Sequence, residues 1–359
     1  MSSTPPNPKP TNSNSPIDIT VRSLCVRVPK GEGESVRKKL LDLGVLDSAL
    51  KIIREDDSIL FPVLGDSIPD IGLEICEEEF DERRLMDTDY KSLVSLPEDL
   101  RPLLPTSFDV IGDIGIFRLP EELISYAGDI GSALLSAFPR LRTVAMDKGV
   151  KGEFRVRDLD VVAGDEKLET VHQEYGIRML VDPSRVYFNP RLAGERHRVA
   201  SLVKEGETVI DMFSGIGPFA IMIAKQAKPF VVFALDINPD CIEYMKRNIG
   251  INKVSNVVPI EGDSKHLIFD IPCADRIVMN LPHTARQFYA EALTRLSIGG
   301  TIHFYHICER HEIELVLEQM LIEARGMGVC VEVTHKEELK TYSPSASVFS
   351  ADLLLRDWC

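Results

Sequence analysis

Apolar and polar positions fall into short periodic blocks along the chain, and the block from Glu207 to Asn238, ETVIDMFSGIGPFAIMIAKQAKPFVVFALDIN, organises the others. An apolar run, Val209 and Ile210, ends in Asp211. The chain then turns through Gly215 and Gly217, enters an apolar helical segment, and returns in a second apolar run ending in Asp236. This pattern predicts a strand, a tight turn, a helix and a second strand. Downstream, Asn238 and Pro239 supply a cap and a first-turn proline for a helix to about Ile249. NVVPIEGDS, ADRIVMNLP and GGTIHFYHI read as strands, with TARQFYAEALTRL and RHEIELVLEQMLIEAR as helices. Two last apolar stretches, GVCVEVTHKEEL and ASVFSADLLL, have no helix between them and are expected to pair as an antiparallel edge. The predicted class is α/β: a Rossmann-like domain over residues 179–359 with a mostly parallel sheet, its ligand at the carboxyl ends of the strands.

Two smaller α+β domains are expected before it. Residues 1–17 are Pro, Ser and Asn with almost nothing apolar, cannot repay the entropy of ordering, and read as a disordered tail. Over residues 18–65 the pattern gives a strand SLCVRVP, a helix GESVRKKLLDLG, and strands ALKIIRED and SILFPVL joined at a turn. The acidic cluster that follows, Glu77, Glu78, Glu79, Asp81 and Glu82, reads as a solvated face or linker. A middle domain over residues 66–178 holds SFDVIGDIGIFRLP as paired strands around a glycine turn and EELISYAGDIGSALLSAF as a helix. TVAMD, GEFRVRDLDVVAG and ETVHQEYGIRMLV complete it as strands.

Composition narrows the partners. With 359 residues, 44% of them hydrophobic, the chain can build two or three globular domains. No apolar run approaches bilayer-spanning length and the N-terminus has no secretory-type segment, so a cytoplasmic protein away from membranes is expected; a monomer is expected as well. A net charge of -15 argues against indiscriminate nucleic-acid binding. That charge is uneven: Leu141 to Arg198 holds 11 Lys and Arg against 10 Asp and Glu, which leaves room for a local basic surface. The cysteines Cys25, Cys76, Cys241, Cys273, Cys308, Cys330 and Cys359 are odd in number, scattered and never in a C-x-x-C pair. Buried reduced thiols are expected, with neither zinc nor disulfide.

The glycine turn and its two acids point to a nucleoside cofactor, because an acid ending the second strand can accept both ribose hydroxyls. A pyrophosphate does not suit Asp211 and Phe213 ahead of the turn. The ammonium of S-adenosylmethionine does, so D-x-F-x-G-x-G-x-F reads as a methyltransferase loop and the fold as a class I methyltransferase domain. Gly215, Gly217, Asp211, Phe213 and Asp236 are the candidate cofactor residues, with Asp263 and Ser264 after the next strand; Asp263 also fits a helix cap. Asn280 in MNLPH resembles the N-P-P-aromatic signature of enzymes that methylate base amino groups, with Leu281 for the first Pro and His283 for the aromatic. A ring nitrogen is therefore a plausible target. In RVYFNPRLAGERHRVA, Tyr187 and Phe188 can flank a base, Arg191, Arg196 and Arg198 can meet phosphate or a carboxylate, and Glu195 is the only acid among them. A lone Glu among arginines is usually a salt bridge, yet a nitrogen that loses a proton needs a general base. Arg155 and Arg157 in KGEFRVRD share a strand face, fit for phosphate, for charge developing on a carbonyl oxygen, or simply for a solvated face with ion pairs to Glu153 and Asp158.

GEFRVRDLDVVAGD, VYFNPRLAGERHR, VIDMFSGIGPFAI, ALDINPDCIEYMKRNI, IVMNLPH and GGTIHFYHI together resemble the archaeal and eukaryotic tRNA (guanine(37)-N(1))-methyltransferase family, from about Thr20 to the C-terminus. The resemblance implies methyl transfer from S-adenosylmethionine to N1 of the guanosine beside the anticodon, with a small first domain inspecting the tRNA elbow. It implies Glu195 as the general base, Arg155 on the guanine O6, and Asn280 orienting the base. Tyr187 and Arg191 would line the guanosine pocket, and Arg196, Phe213, Asp236, Ile237, Asp263 and Asn280 the cofactor site. Ala193 departs from the glycine of some relatives. The alternative is a wyosine-pathway transferase acting at the same position, by methylating the tricyclic precursor or transferring the aminocarboxypropyl group; Glu195 with Asn280 favours methylation of N1.

Overall fold

Val26 and Val28, two residues apart, fall on one face of the strand Thr20–Pro29 and are fully buried. They pack against Val36 and Leu40 of the helix Gly33–Asp42 and against Ile59 and Phe61 of the strand Ser58–Pro62. The structure, a computed structural model, describes residues 20–47, 50–55, 57–64, 73–81, 89–152, 154, 156–343 and 345–359. It divides into two compact units, Met1–Thr88 and Asp89–Cys359. The expected tail over residues 1–17 lies outside the described residues.

In the first unit the strand order is Ile53–Arg54, Ser58–Pro62, Thr20–Pro29, Glu74–Asp81. The acidic run, expected as a solvated face or linker, is an edge strand paired antiparallel with Thr20–Pro29, and Glu77, Glu78 and Glu79 are exposed on it. Phe80 is its single fully buried anchor, and the glutamates around it mask the alternation. Charge on an edge strand also discourages pairing with further chains.

The second unit opens with a four-stranded sheet in the order Asp109–Ile111, Ile114–Phe117, Thr143–Lys151, Val156–Gly164. The helix Ala127–Ala137 lays Ile130 and Leu134 on it and carries the parallel crossover from the second strand to the third. The hairpin Thr170–Glu174 and Ile177–Val181 follows. Next comes a seven-stranded sheet, whose strands we number β1 Thr208–Asp211, β2 Val231–Asp236, β3 Val257–Glu261, β4 Ala274–Met279, β5 Leu296–Glu309, β6 Val329–Thr341 and β7 Ala346–Trp358. Their order is β3-β2-β1-β4-β5-β7-β6, parallel except for β7, which runs antiparallel to both neighbours. The last two apolar stretches do pair, but β7 inserts between β5 and β6, and β6 is the edge. Burial explains this: Val348 to Leu353 are covered on both faces, whereas β6 alternates with exposed charges. The order reverses between β1 and β4, which opens a crevice at their carboxyl ends.

Cysteine usage departs from expectation. Cys330 and Cys359 form a disulfide, because the β6–β7 register sets Cys330 opposite Asp357 and brings the last residue alongside. Cys273 is exposed rather than buried. A bridge closing 29 residues stabilises by roughly 3–4 kcal/mol on the chain-entropy account. Cys359→Ser should therefore lower the unfolding free energy of the unit by about 2–4 kcal/mol in denaturant titration. Reductant should reproduce the loss in the parent protein and leave the variant unchanged.

Candidate active site

At the end of β1 the backbone turns through Gly215 and Gly217, both at positive φ (55° and 87°) where a side chain would be strained. The helix Pro218–Gln226 follows, with Pro at its first turn. Asp236 at the end of β2 ties this loop down: its Oδ2 accepts from the Gly215 amide at 2.7 Å and its Oδ1 from the Asn238 amide at 2.9 Å. Burial raises the Asp236 pKa above the ordinary carboxyl value, against the pull of the Asn238 and Gly215 amides. Beside it opens a cavity of about 460 Å³ that gathers Tyr187, Phe213, Gly215, Asp236 and Asn280. Phe213 is braced edge-to-face on Phe288, and Ile237 offers an apolar surface next to Asp236 at 53% exposure.

The donor set fits S-adenosylmethionine. Asp236 takes two amides and the Cys241 thiol, which leaves acceptor capacity that would suit a ribose hydroxyl, and Ile237 and Phe213 would supply apolar surface for the rest. A pyrophosphate would meet Asp236 and a helix start that lacks an amide hydrogen at Pro218.

Other predicted residues lie elsewhere. Arg196 is buried and spent on Glu174, with Nε and Nη2 at 2.6 and 2.5 Å from its two oxygens, on the Asn189 carbonyl at 3.1 Å, and on the face of Phe188. It cannot also reach a cofactor in this position. Asp263 caps the short helix Ser264–Leu267 through the Lys265 amide at 2.9 Å, and Ser264 donates to the Met212 carbonyl beneath the loop. Gly217 is packed under Met245. Arg155 lies outside the described residues. Its neighbour Arg157 donates to Asp109 at 2.8 Å.

Asp211 is fully buried under the turn and does not line the cavity. No donor completes a hydrogen bond to either oxygen, and burial, with the charge of Asp236, raises its pKa to about 8; the amides of Phe213 and Ala220 only partly offset this. Burial thus favours its neutral form. The folded pKa lies above the unfolded one, so its contribution to stability is whole below about pH 4 and is lost as pH rises towards 8. Asp211→Asn should remove that part of the pH dependence, making the variant relatively more stable with rising pH in thermal unfolding measured from acid to mildly alkaline buffer.

Glu195 opens the helix Ala193–Leu202 and is buried. Arg198, one turn on, grips both of its oxygens at 2.7 and 2.8 Å, and the Tyr305 hydroxyl donates at 2.7 Å. Burial first, then the charge of Glu195, hold that phenol protonated. Tyr305 and the cavity-lining Ile307 are one same-face step apart on β5, about 7 Å. Leu192, one turn before Glu195, also lines the cavity. Glu195 itself does not line the cavity: its oxygens are turned into an ion network.

A second cavity of about 450 Å³ adjoins the first and shares Arg118, Val150, Tyr187, Asn189, Lys340 and Tyr342 with it. Arg157 and Arg191 line it too, both held by Asp109 at 2.8 Å. Burial, then Arg191 and Arg157, draw the Lys340 ammonium below its ordinary pKa. Arg118, Lys340 and Tyr342 were not legible as site residues, since they come from separate strands and a loop. Tyr342, edge-to-face with His283 at 5.5 Å, also brings the aromatic surface that the Asn280 motif lacks.

A glycine turn, a ribose-ready acid and an asparagine at the end of β4, set on this strand order, define an α/β methyltransferase. The family described as TRM5/TYW2 methyltransferase domain matches residues 170–332, the TYW2 N-terminal domain residues 91–167 and the tRNA methyltransferase 5 N-terminal domain residues 25–70. The chain belongs to the TRM5/TYW2 methyltransferase family. It is 45% identical over 325 residues, 90% of this chain and 96% of the other, to tRNA (guanine(37)-N(1))-methyltransferase Trm5b of Pyrococcus abyssi. The crystal structure of Trm5b from the same organism superposes with a TM-score of 0.71 at 42% identity, covering 93% of this chain and 99% of that one. A complex of aTrm5 with tRNALeu gives 0.64 at 31% identity, covering 93% and 100%.

Proposed function

We infer that the protein transfers a methyl group from S-adenosylmethionine to N1 of guanosine 37 in tRNA. The observation that carries this is one cavity lined by Asp236, Asn280 and Tyr187 together with Leu192, three residues before Glu195. When bound, S-adenosylmethionine supplies an electrophilic methyl carbon on a sulfonium. Asp236 and the Gly215 backbone hold the nucleoside part, and Phe213 and Ile237 cover it. Tyr187 and Tyr342 offer ring faces to a base, and Asn280 orients its edge. Glu195 takes the N1 proton, the electron pair of that N–H bond forms the bond to the methyl carbon, and the carbon–sulfur bond breaks to release the neutral thioether. Arg155 stabilises the negative charge that grows on O6. Arg191 and the surrounding cations accept the flanking phosphates of the anticodon loop. The first unit reads the tRNA elbow, and the enzyme works as a monomer in the cytoplasm. Among the described residues no helix is long and apolar enough to cross a membrane.

The test is a tRNA transcript with guanosine at position 37, incubated with methyl-labelled S-adenosylmethionine and digested to nucleosides. Label in 1-methylguanosine is expected, with none when position 37 is adenosine. Label appearing only with a wyosine-precursor tRNA, or mass from an aminocarboxypropyl group, would replace this reading.

A further inference from the structure

Glu195 does not hold Arg198 alone. On its other side the same guanidinium meets Asp352 of β7, at 2.7 Å from Nη1 and 3.1 Å from Nη2. Asp352 lies opposite His303 in the β5–β7 register, and their side chains meet at 2.7 Å. The far nitrogen of His303 faces the Arg276 guanidinium at 3.3 Å, which can only donate, so the imidazole hydrogen sits on the Asp352 side. Arg276 is anchored in turn on Glu207 at 2.7 Å. Burial works against the Asp352 anion, but hydrogen bonds from His303 and Arg198 hold its pKa well below the usual carboxylate range. The groups facing Glu195 are therefore Arg198 from its own helix and Tyr305 from β5, with Asp352 and His303 one contact further.

We propose that Asp352 is a positioning residue for the base: by keeping a fixed share of Arg198, with His303 locking its carboxylate, it lets Glu195 leave the guanidinium and turn to the cavity. The inference rests on Glu195 being the base. Oε1 is taken by Arg198 and Tyr305 and Oε2 by Arg198, which fixes the carboxylate outside the lining of the cavity, and releasing it would leave a partly buried guanidinium without its counter-ion unless a second anion stayed behind. Asp352 is that anion. Tyr305 remains within one strand step of the cavity as the donor from which the carboxylate pivots.

The test compares Asp352→Asn, His303→Gln and Arg198→Lys, alone and with Asp352→Asn, against Glu195→Gln. The readout is single-turnover methylation of tRNA across pH, with thermal unfolding and binding of tRNA and S-adenosylmethionine as controls. Asp352→Asn, which leaves Arg198 wholly to Glu195, should slow turnover about ten- to a hundredfold, the scale of a hydrogen bond to a charged group. Binding should persist, and the acidic rise of the pH profile should move to lower pH. His303→Gln should fall between. Arg198→Lys should partly restore turnover in the Asp352→Asn background, because an ammonium cannot grip both oxygens as a planar fork does. Asp352→Asn at the parental rate and profile overturns the proposal; so does slowing with an unmoved profile and no recovery by Arg198→Lys, the mark of a merely structural pair. Loss of turnover in Glu195→Gln alongside either result confines the failure to Asp352, whereas full turnover in Glu195→Gln removes the base itself.

Discussion

Glu195→Gln should cut the rate of methyl transfer by about 10²- to 10⁴-fold, the usual contribution of a positioned general base. Glutamine has the same length and can still accept from Tyr305, so the helix start and the hydroxyl contact survive. What it cannot do is accept a proton at pH 7. Arg198 keeps one anion, Asp352, and is not stranded. The variant should therefore fold, bind S-adenosylmethionine at the undisturbed Asp236 side, and bind tRNA, with the loss confined to turnover. Initial rates of label transfer at saturating tRNA, beside calorimetric titration of cofactor, separate these. A fall below about tenfold would place the proton acceptor elsewhere, and a parallel loss of tRNA affinity would make Glu195 a strut for the Tyr187 segment.

How much of this could be read from the chain depended on whether the signal was local. The turn Asp211 to Gly217, the cap at Asn238 and the acid Asp236 are written within one strand-helix-strand unit, and each falls where the pattern sets it. Phe213, Gly215, Asp236, Asn280 and Tyr187 meet at one cavity because strand ends on the same side of a parallel sheet must. What was not legible needed partners far along the chain. Arg198 and Asp352 are 154 residues apart and meet only because β7 enters between β5 and β6. Arg196 looks like a ligand-binding cation in GERHR until Glu174, 22 residues earlier, closes on it. Asp211, expected at the cofactor's ammonium, is instead fully buried beneath the loop, where neutrality costs less than charge.

Arg196 carries the second large effect, on stability. It is the largest fully buried side chain, and its fork matches both oxygens of Glu174. Removing one member of such a pair strands the other charge, so Arg196→Met should lower the unfolding free energy by about 3–5 kcal/mol. The combined Arg196→Met and Glu174→Gln variant should lie much nearer the parent, because neither charge is then left without a partner. Denaturant titration of the three proteins decides this, and equal losses in the single and double variants would show that packing on Phe188, rather than charge pairing, is what Arg196 supplies. The functional consequence follows from its other contact. Nη1 donates to the carbonyl of Asn189, within the segment that presents Tyr187 and Arg191 to the cavities. In the folded fraction, Arg196→Met should therefore weaken tRNA binding more than S-adenosylmethionine binding, the reverse of what a direct cofactor contact would give.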